Sequence, residues 1–486
     1  MLKLIINQAN WGIFGSVFGF LIGFLIKIYL IDIVGLDAWG KYVAAHSFAS
    51  FSNTILSLGI PWIILKYMPN YIEKNISDAK QFMRIILHYA ILVSCVFLFF
   101  MWFLAPWLDN YIYKDIEGFY LILLIVSIHA PISILTGIIT SLYRSIFKVK
   151  EIIIYGTFVT VPLRAILTYF IFTYTNNIIY FIFIELFTTF LTVAILFYFF
   201  NKNEVSFIGV KKEKSYKIDK DVIDYGKRMY ANSLVSFFAA QSLSLIISIK
   251  LSPEQIGIYS ILLTVTGVTM FIIRNLNNIF APAITKLYKE NKISELSSLY
   301  KQTTFMVNLF TMPFIIIIIL FASDILYLYD DSGMLSRYTI YLYIIMCARI
   351  ILLLTGSSGT FMLMAGLEKQ ELILQVIKAI LMSFLAIIFI GHYGLIAMVI
   401  LFVFFTLFLN IAQLIFIYRN IGITPFSNNL YLLIIISLPV IYFSISYTFD
   451  FTLLHYILLP FFIYCLYFIF FIKRLKSIYL NLSQDV

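Results

Sequence analysis

ILHYAILVSCVFLFFMWFL, residues Ile86–Leu104, decides the class of fold. It carries no Asp, Glu, Lys or Arg. Roughly 20 apolar residues in a helix cross a hydrocarbon core of about 30 Å. Tyr431–Ser446 has the same character. A membrane barrel strand would instead alternate apolar and polar side chains over about ten residues. In lipid, every backbone N–H and C=O must find a partner within the fold, so continuous apolar runs of this length are read as helices. The whole chain agrees: 62% of its 486 residues are apolar, 12% are charged, and mean hydropathy is +0.98. A soluble chain is about 25% charged and about 45–50% apolar. The expected fold class is an all-α membrane protein.

Counting apolar runs of roughly 20 residues predicts about fourteen spans, near 8–34, 39–67, 81–104, 118–144, 151–173, 178–200, 223–250, 256–284, 298–321, 335–361, 371–392, 394–419, 429–446 and 452–472. The first run starts near Ala9 and ends near Val34, too long for a signal sequence, and no small-residue cleavage site follows it. No cleavable signal peptide is expected. Cys95, Cys347 and Cys465 all fall inside spans, so no structural disulfide is expected.

Lys and Arg concentrate in cytoplasmic loops, which orients the spans. Lys74, Lys80, Lys148, Lys150, the cluster Lys211, Lys212, Lys214, Lys217 and Lys220, and then Lys286, Lys289 and Lys292 all fall on one side. Lys473, Arg474 and Lys476 join them from the C-terminal tail. Asp109, Asp115, Glu117, Asp330, Asp331 and Asp450 fall on the other, against only Lys114 and Arg337. Both termini are therefore expected in the cytoplasm. Topology accounts for the net charge of +10 without a nucleic-acid partner.

A repeat organises the chain. Gly40 and Tyr42 match Gly257 and Tyr259 at one constant offset, which also pairs Tyr71 with Tyr288, Glu73 with Glu290, and Glu151 with Glu368. The predicted arrangement is an N-terminal lobe of six spans (1–200), a basic cytoplasmic linker (201–222) and a C-terminal lobe of six spans (223–419). Two further helices and the tail follow (420–486). An even number of spans per lobe makes the repeat parallel, and two such bundles rocking about a cleft suit alternating access. No connection on the acidic side exceeds about a dozen residues, and neither a phosphate-binding GxxxxGK[ST] loop nor HExxH or CxxC spacing occurs. Transport rather than catalysis is expected, with no cofactor and no metal motif.

The run NWGIFGSVFGFLIGFLIKIYLIDIVGLDAWGKY (10–42), then LSLGIPWIILKYMPNY (56–71), resembles the start of the Wzx-type oligosaccharide and O-antigen flippases. NIFAPAITKLYKE (278–290) resembles that family's proline-containing end of helix eight. The resemblance implies the fold of the multidrug/oligosaccharidyl-lipid/polysaccharide exporter superfamily, in a bacterial inner membrane. It also implies alternating access and an undecaprenyl-pyrophosphate-linked oligosaccharide, such as an O-antigen or capsule repeat unit, as substrate. Polysaccharide polymerase and chain-length proteins are implied partners, with H+ or Na+ as coupling ion. The superfamily's lipid II flippases carry several arginines in helices one and two; here helix one has only Lys27 and helix two has His46, which ranks lipid II lower.

Ionisable groups at bilayer depth are costly and mark cavities or pathways. Six stand out as candidate substrate-binding residues: Lys27, His46, Arg164, Arg274 (within RNLNN), Arg349 and Lys378. Five are cations against one comparably embedded acid, Glu185, an excess that suits an anionic pyrophosphate. Each also has a plainer reading. Lys27 and Lys378 could snorkel to an interface. Arg164 could brace Glu185, and His46 could simply pack. His88 and His129 are read as structural, and Trp39, Trp62, Trp102 and Trp107 as interfacial anchors. Pro61, Pro162, Pro282 and Pro313 are expected to kink their helices, and Gly12, Gly15, Gly19 and Gly23 to let helices approach. A cation-coupled multidrug exporter would need acids in its cavity. A polysaccharide polymerase or ligase would need a large external loop. A lipid scramblase or a structural membrane protein would need neither.

Overall fold

The computed structural model describes residues 2–114, 116–207, 218–446 and 453–484. Asp115, Asp450 and the lysines at 211, 212, 214 and 217 lie outside the described residues. All regular structure among the described residues is helical. Among these described residues, ten helices are long and apolar enough to cross a membrane, or eleven with a bent pair, Lys220–Phe238 and Gln241–Lys250, taken as one span. The chain is a multi-pass membrane protein.

Contacts group it into two compact units, Met1–Ser260 and Ile261–Val486. The first holds α1 (Leu2–Leu56), α2 (Ile60–Lys74), α3 (Ile76–Tyr111), α4 (Phe119–Ser127), α5 (His129–Ser145), α6 (Val149–Glu151), a π-helical turn (Ile152–Thr157), α7 (Phe158–Phe172), α8 (Ile178–Asn203) and α9 (Lys220–Lys250). It ends in the first turns of α10 (Pro253–Lys289). The boundary falls at 260, beyond the basic stretch, because α9 packs on α1 and α2.

Helix α1 is too long for one crossing: its apolar part, Phe14–Leu56, would extend about 64 Å at 1.5 Å per residue. Gly35 breaks it, with φ 81° and ψ 166°, outside helical space. Gly394 (φ 60°) breaks α15 (Glu368–Ile421) in the same way. The fourteen spans expected from hydropathy treat the two sides of each break as separate crossings. Pro61 does not kink a helix. It stands in the first turn of α2, after Leu58 and Gly59 turn left-handed at φ 49° and 70°. That position has no intrahelical N–H bond to lose. Pro162 and Pro313 do lie inside helices, and the side chain of Pro282 is outside the described residues.

Burial is inverted relative to a soluble protein. Helix α3 buries Phe82, Met83, Ile86 and Ala90 in a core with α2, α5 and α8. Its opposite face leaves Leu92, Phe99, Phe100 and Phe103 bare. Trp62, Trp102 and Trp107 also sit on the surface, Trp102 at 63% exposure. Trp39 does not: it is 2% exposed, so interfacial anchoring is the wrong reading for it.

Two glycines of the repeat pack against each other's helices within the first unit. A Cβ on Gly257 would lie 2.6 Å from the Leu36 carbonyl oxygen, and one on Gly40 would overlap the Pro253 carbonyl. Along the rest of α1 the glycines differ. A Cβ on Gly15 would press on Ile153, whereas Gly23 has open space beside it.

The second unit holds the rest of α10, α11 (Ile293–Leu320), α12 (Ala322–Tyr327), a 3-10 turn (Leu335–Tyr338), α13 (Thr339–Leu354), α14 (Ser358–Met364), α15, α16 (Asn428–Ser446) and α17 (Leu453–Gln484). Helix α11 is its centre, packed by α13, α16 and α17. The α13–α14 break at Gly356 (φ 67°) frees backbone groups at membrane depth. Side chains take them up: Tyr300 Oη donates to Thr355 O at 2.8 Å, and Asn308 Nδ2 to Leu353 O at 2.7 Å. Such re-satisfaction is what lets irregular backbone persist in a bilayer.

Candidate functional site

Three of the six predicted residues come together in the first unit, and Glu185 is their organiser. The carboxylate projects from α8. Tyr42 Oη donates to its Oε2 at 2.7 Å, and Arg164 Nη1 from α7 donates to Oε1 at 3.3 Å. His129 Nε2, at the start of α5, lies 3.1 Å from Oε2. Arg164 is held from two more sides, Nε donating to Thr188 Oγ1 at 2.9 Å and Nη2 to Thr189 Oγ1 at 3.0 Å. Thr188 and Thr189 follow Glu185 by one helical turn, so one face of α8 grips the guanidinium. Arg164 is thus a brace inside the unit, the plainer of its two sequence readings.

The open side of this cluster is a cavity of about 600 Å³. Lys27, Trp39, Tyr42, His46, His129 and Glu185 line its charged end. Lys27 Nζ lies 5.5 Å from the centre of the Trp39 ring, a cation–π contact rather than a snorkelling ammonium. Trp39 Nε1 donates to Ser260 Oγ at 2.8 Å, which fixes the indole. The His46 ring centre is 5.6 Å from that of His129 and 5.7 Å from that of Tyr42. Tyr42 and His46 share a face because they are four residues apart on α1. The other end of the cavity is neutral and polar, with Ser50, Asn53, Thr54, Ser133, Gln241 and Ser244. A second hollow of about 380 Å³ continues past Asn53, Thr54 and Ser133 to Ser57, Ser233 and Ser236.

Charge counting defines what this cavity offers. Lys27 lines the cavity and the Arg164 guanidinium lies behind Glu185, so basic groups outnumber the acid two to one at this end. The neutral wall supplies hydroxyl and amide groups at hydrogen-bonding range, and the aromatic end supplies ring faces. A drug-sized site is about 300–1,000 Å³, so the volume suits part of a sugar-phosphate group.

The remaining candidates lie in the second unit. The Arg349 guanidinium stacks 5.2 Å over the Phe402 ring. Lys378, on α15, has Arg349 and Glu371 as its electrostatic neighbours. Glu371 is buried and is held by Gln413 Nε2 at 2.9 Å and Gln375 Nε2 at 2.8 Å. Arg274 lies on α10, and its side chain is outside the described residues.

Sequence reasoning passed over three residues of the site. His129 was assigned to packing and Trp39 to an interface, while Tyr42 entered only as a repeat marker. One signal was available: Glu185 is the one acid set in the middle of an expected span, and such an acid draws partners around it.

Comparisons with known proteins fit this geometry. Residues 33–329 match the family model described as "Polysaccharide biosynthesis protein". No curated protein matches the sequence. Among solved structures, lipid II flippase MurJ in an inward closed conformation aligns with a TM-score of 0.69 at 15% identity, covering 95% of this chain and 99% of that one. An inward-facing multidrug resistance MATE family transporter aligns at 0.63 and 15%, covering 82% and 98%. A MOP superfamily transporter from Pyrococcus furiosus, reported with a binding pocket of reverse polarity, aligns at 0.59 and 15%, covering 86% and 96%. At such identity the likeness is one of fold. With the family model matching more than half of its length, the chain belongs to the polysaccharide biosynthesis protein family and has the fold of the MOP superfamily transporters.

Proposed function

We propose that the protein is a flippase for an undecaprenyl-pyrophosphate-linked oligosaccharide, an O-antigen or capsule repeat unit. It moves its substrate from the cytoplasmic to the outer leaflet of a bacterial inner membrane by alternating access, with both its termini cytoplasmic. The observation that carries this reading is the cavity in the first unit. One end has an excess positive charge beside two aromatic rings, and the other is a wall of hydroxyls and amides. A glycan joined to a pyrophosphate presents the complementary series: anion, sugar faces, hydroxyls. Arg274, Arg349 and Lys378, all in the second unit, remain candidates for binding an anionic group there by their charge. Polysaccharide polymerase and chain-length proteins would receive the product.

The exporter reading is weaker on one count. A carrier of organic cations needs a net acidic site, and here Lys27 and the Arg164 guanidinium outnumber the one carboxylate, Glu185. Cells lacking the protein should accumulate lipid-linked repeat units on the cytoplasmic leaflet and lose surface glycan. Unchanged glycan with raised drug sensitivity would favour the exporter.

A further inference from the structure

We propose that His46, His129 and Glu185 form a binding site for a divalent transition-metal ion, with Zn2+ the best match to their chemistry. Their donor atoms lie within 4.8 Å of one another, and one pair, His129 Nε2 and Glu185 Oε2, is 3.1 Å apart. A tetrahedral Zn2+ bound at about 2.0–2.1 Å puts its ligand atoms about 3.3 Å apart, so one edge is already at length and the others would close by up to about 1.5 Å. Two imidazoles and a carboxylate are a set that zinc, iron, nickel and manganese all accept, and they exclude the all-oxygen preference of Mg2+ and Ca2+.

A second observation points to a ligand. His129 is 6% exposed, yet its Nε2 makes no aligned hydrogen bond among the described residues, in spite of its short approach to the carboxylate. A buried ring nitrogen normally has a partner. A metal lying between Nε2 and Oε2 would satisfy both atoms along their lone pairs.

The surroundings have the character of an outer shell. Tyr42 donates to Oε2 and leaves that oxygen a second lone pair. Arg164 binds the opposite oxygen, and Thr188 and Thr189 hold its guanidinium. Ser50 Oγ lies 3.5 Å from His46 Nδ1. Outer partners of this kind orient ligating carboxylates and histidines. The fourth position faces the cavity, so the site is of the open type. Lys27 and Arg164 oppose a second cation, which sets the affinity below that of a closed structural zinc site.

The test uses untagged, full-length protein in detergent, stripped with a chelator and titrated with Co2+ and then Zn2+. The expected result is one Co2+ per chain, with the intense visible absorption of four-coordinate cobalt, displaced by Zn2+. H129Q and H46Q should weaken binding at least tenfold, and H88Q should not. E185Q should weaken it as well while keeping a partner for Tyr42. If a variant fails to elute as a single species, the zinc-edge X-ray absorption spectrum of the wild type decides. A shell of two imidazole nitrogens and a carboxylate oxygen supports the site, and a shell without imidazole overturns it. Absence of saturable Co2+ binding, or wild-type affinity in both H129Q and H46Q, also overturns it. None of these outcomes depends on flippase activity.

Discussion

Arg164 and Glu185 meet at 3.3 Å, and the threonines one turn beyond Glu185 take the other two donors of the guanidinium. The pair ties α7 to α8 and fixes the carboxylate where the cavity begins. Removing one partner leaves an uncompensated charge at membrane depth, which costs about 3 kcal/mol at the low end of the range for buried pairs. Arg164→Ala and Glu185→Ala should each lower the yield of folded, membrane-inserted protein. The double variant should lose clearly less than the sum, because it leaves no orphan charge. Additive losses in a thermal unfolding cycle would show that the pair carries no coupling.

The close approach of α1 to α10 makes a second prediction. Gly40→Ala places a methyl group on the Pro253 carbonyl, and backbone cannot step aside as a flexible side chain can. Overpacking costs about 1–3 kcal/mol and more where nothing yields. Gly23→Ala meets nothing within 4 Å and should be tolerated. Melting temperatures of the two purified variants check this, and equal values would remove the packing role of Gly40.

Topology is checked with single cysteines in a background where Cys95, Cys347 and Cys465 are replaced by Ser. A cysteine at Lys212 should resist an impermeant thiol reagent added to intact cells, and one at Asp331 should label. Labelling at 212 alone would invert the orientation drawn from the Lys/Arg bias.

Arg349 separates charge from shape. Stacked on Phe402, its planar guanidinium offers a two-pronged donor face that an ammonium lacks. If it holds the pyrophosphate, Arg349→Lys should keep part of the flipping rate per inserted molecule, and Arg349→Glu should lose nearly all of it. If it only braces α13 against α15, both variants should lower the amount of protein and leave the rate per molecule intact. The same pair of substitutions at Arg274 tests the candidate on α10.

The membrane class and the all-helical fold were legible because hydropathy is a local property of a run of sequence. The unit boundary was not. Nothing in Lys220–Lys250 says that it packs on α1, since one apolar face suits many neighbours. The role of Pro61 was hidden for a related reason: it depends on left-handed turns at Leu58 and Gly59, which hydropathy does not register. Of the site, Lys27, His46 and Arg164 were visible as polar residues at depth. The Arg164–Glu185 pairing was one of two readings offered, but the gathering of Lys27, Tyr42, His46 and His129 around it was not, because it brings α1 and α5 to α8, elements far apart in sequence. His129 and Trp39 were misjudged because an isolated histidine or a tryptophan near an expected span end usually packs or anchors.

The most direct test of the anionic-substrate account is the Lys27 series. Lys27 lines the charged end of the cavity, its ammonium 5.5 Å from the centre of the Trp39 ring. A phosphate oxygen entering the cavity should meet that ammonium, an interaction of about 1.5–3 kcal/mol. Lipid-linked oligosaccharide flipping would be measured in proteoliposomes, normalised to inserted protein, for Lys27→Arg, Lys27→Gln and Lys27→Glu. The account predicts substantial activity in Lys27→Arg, at least a roughly tenfold loss in Lys27→Gln, matching the lower end of that energy, and near-complete loss in Lys27→Glu. Wild-type rates in both Lys27→Gln and Lys27→Glu would contradict it.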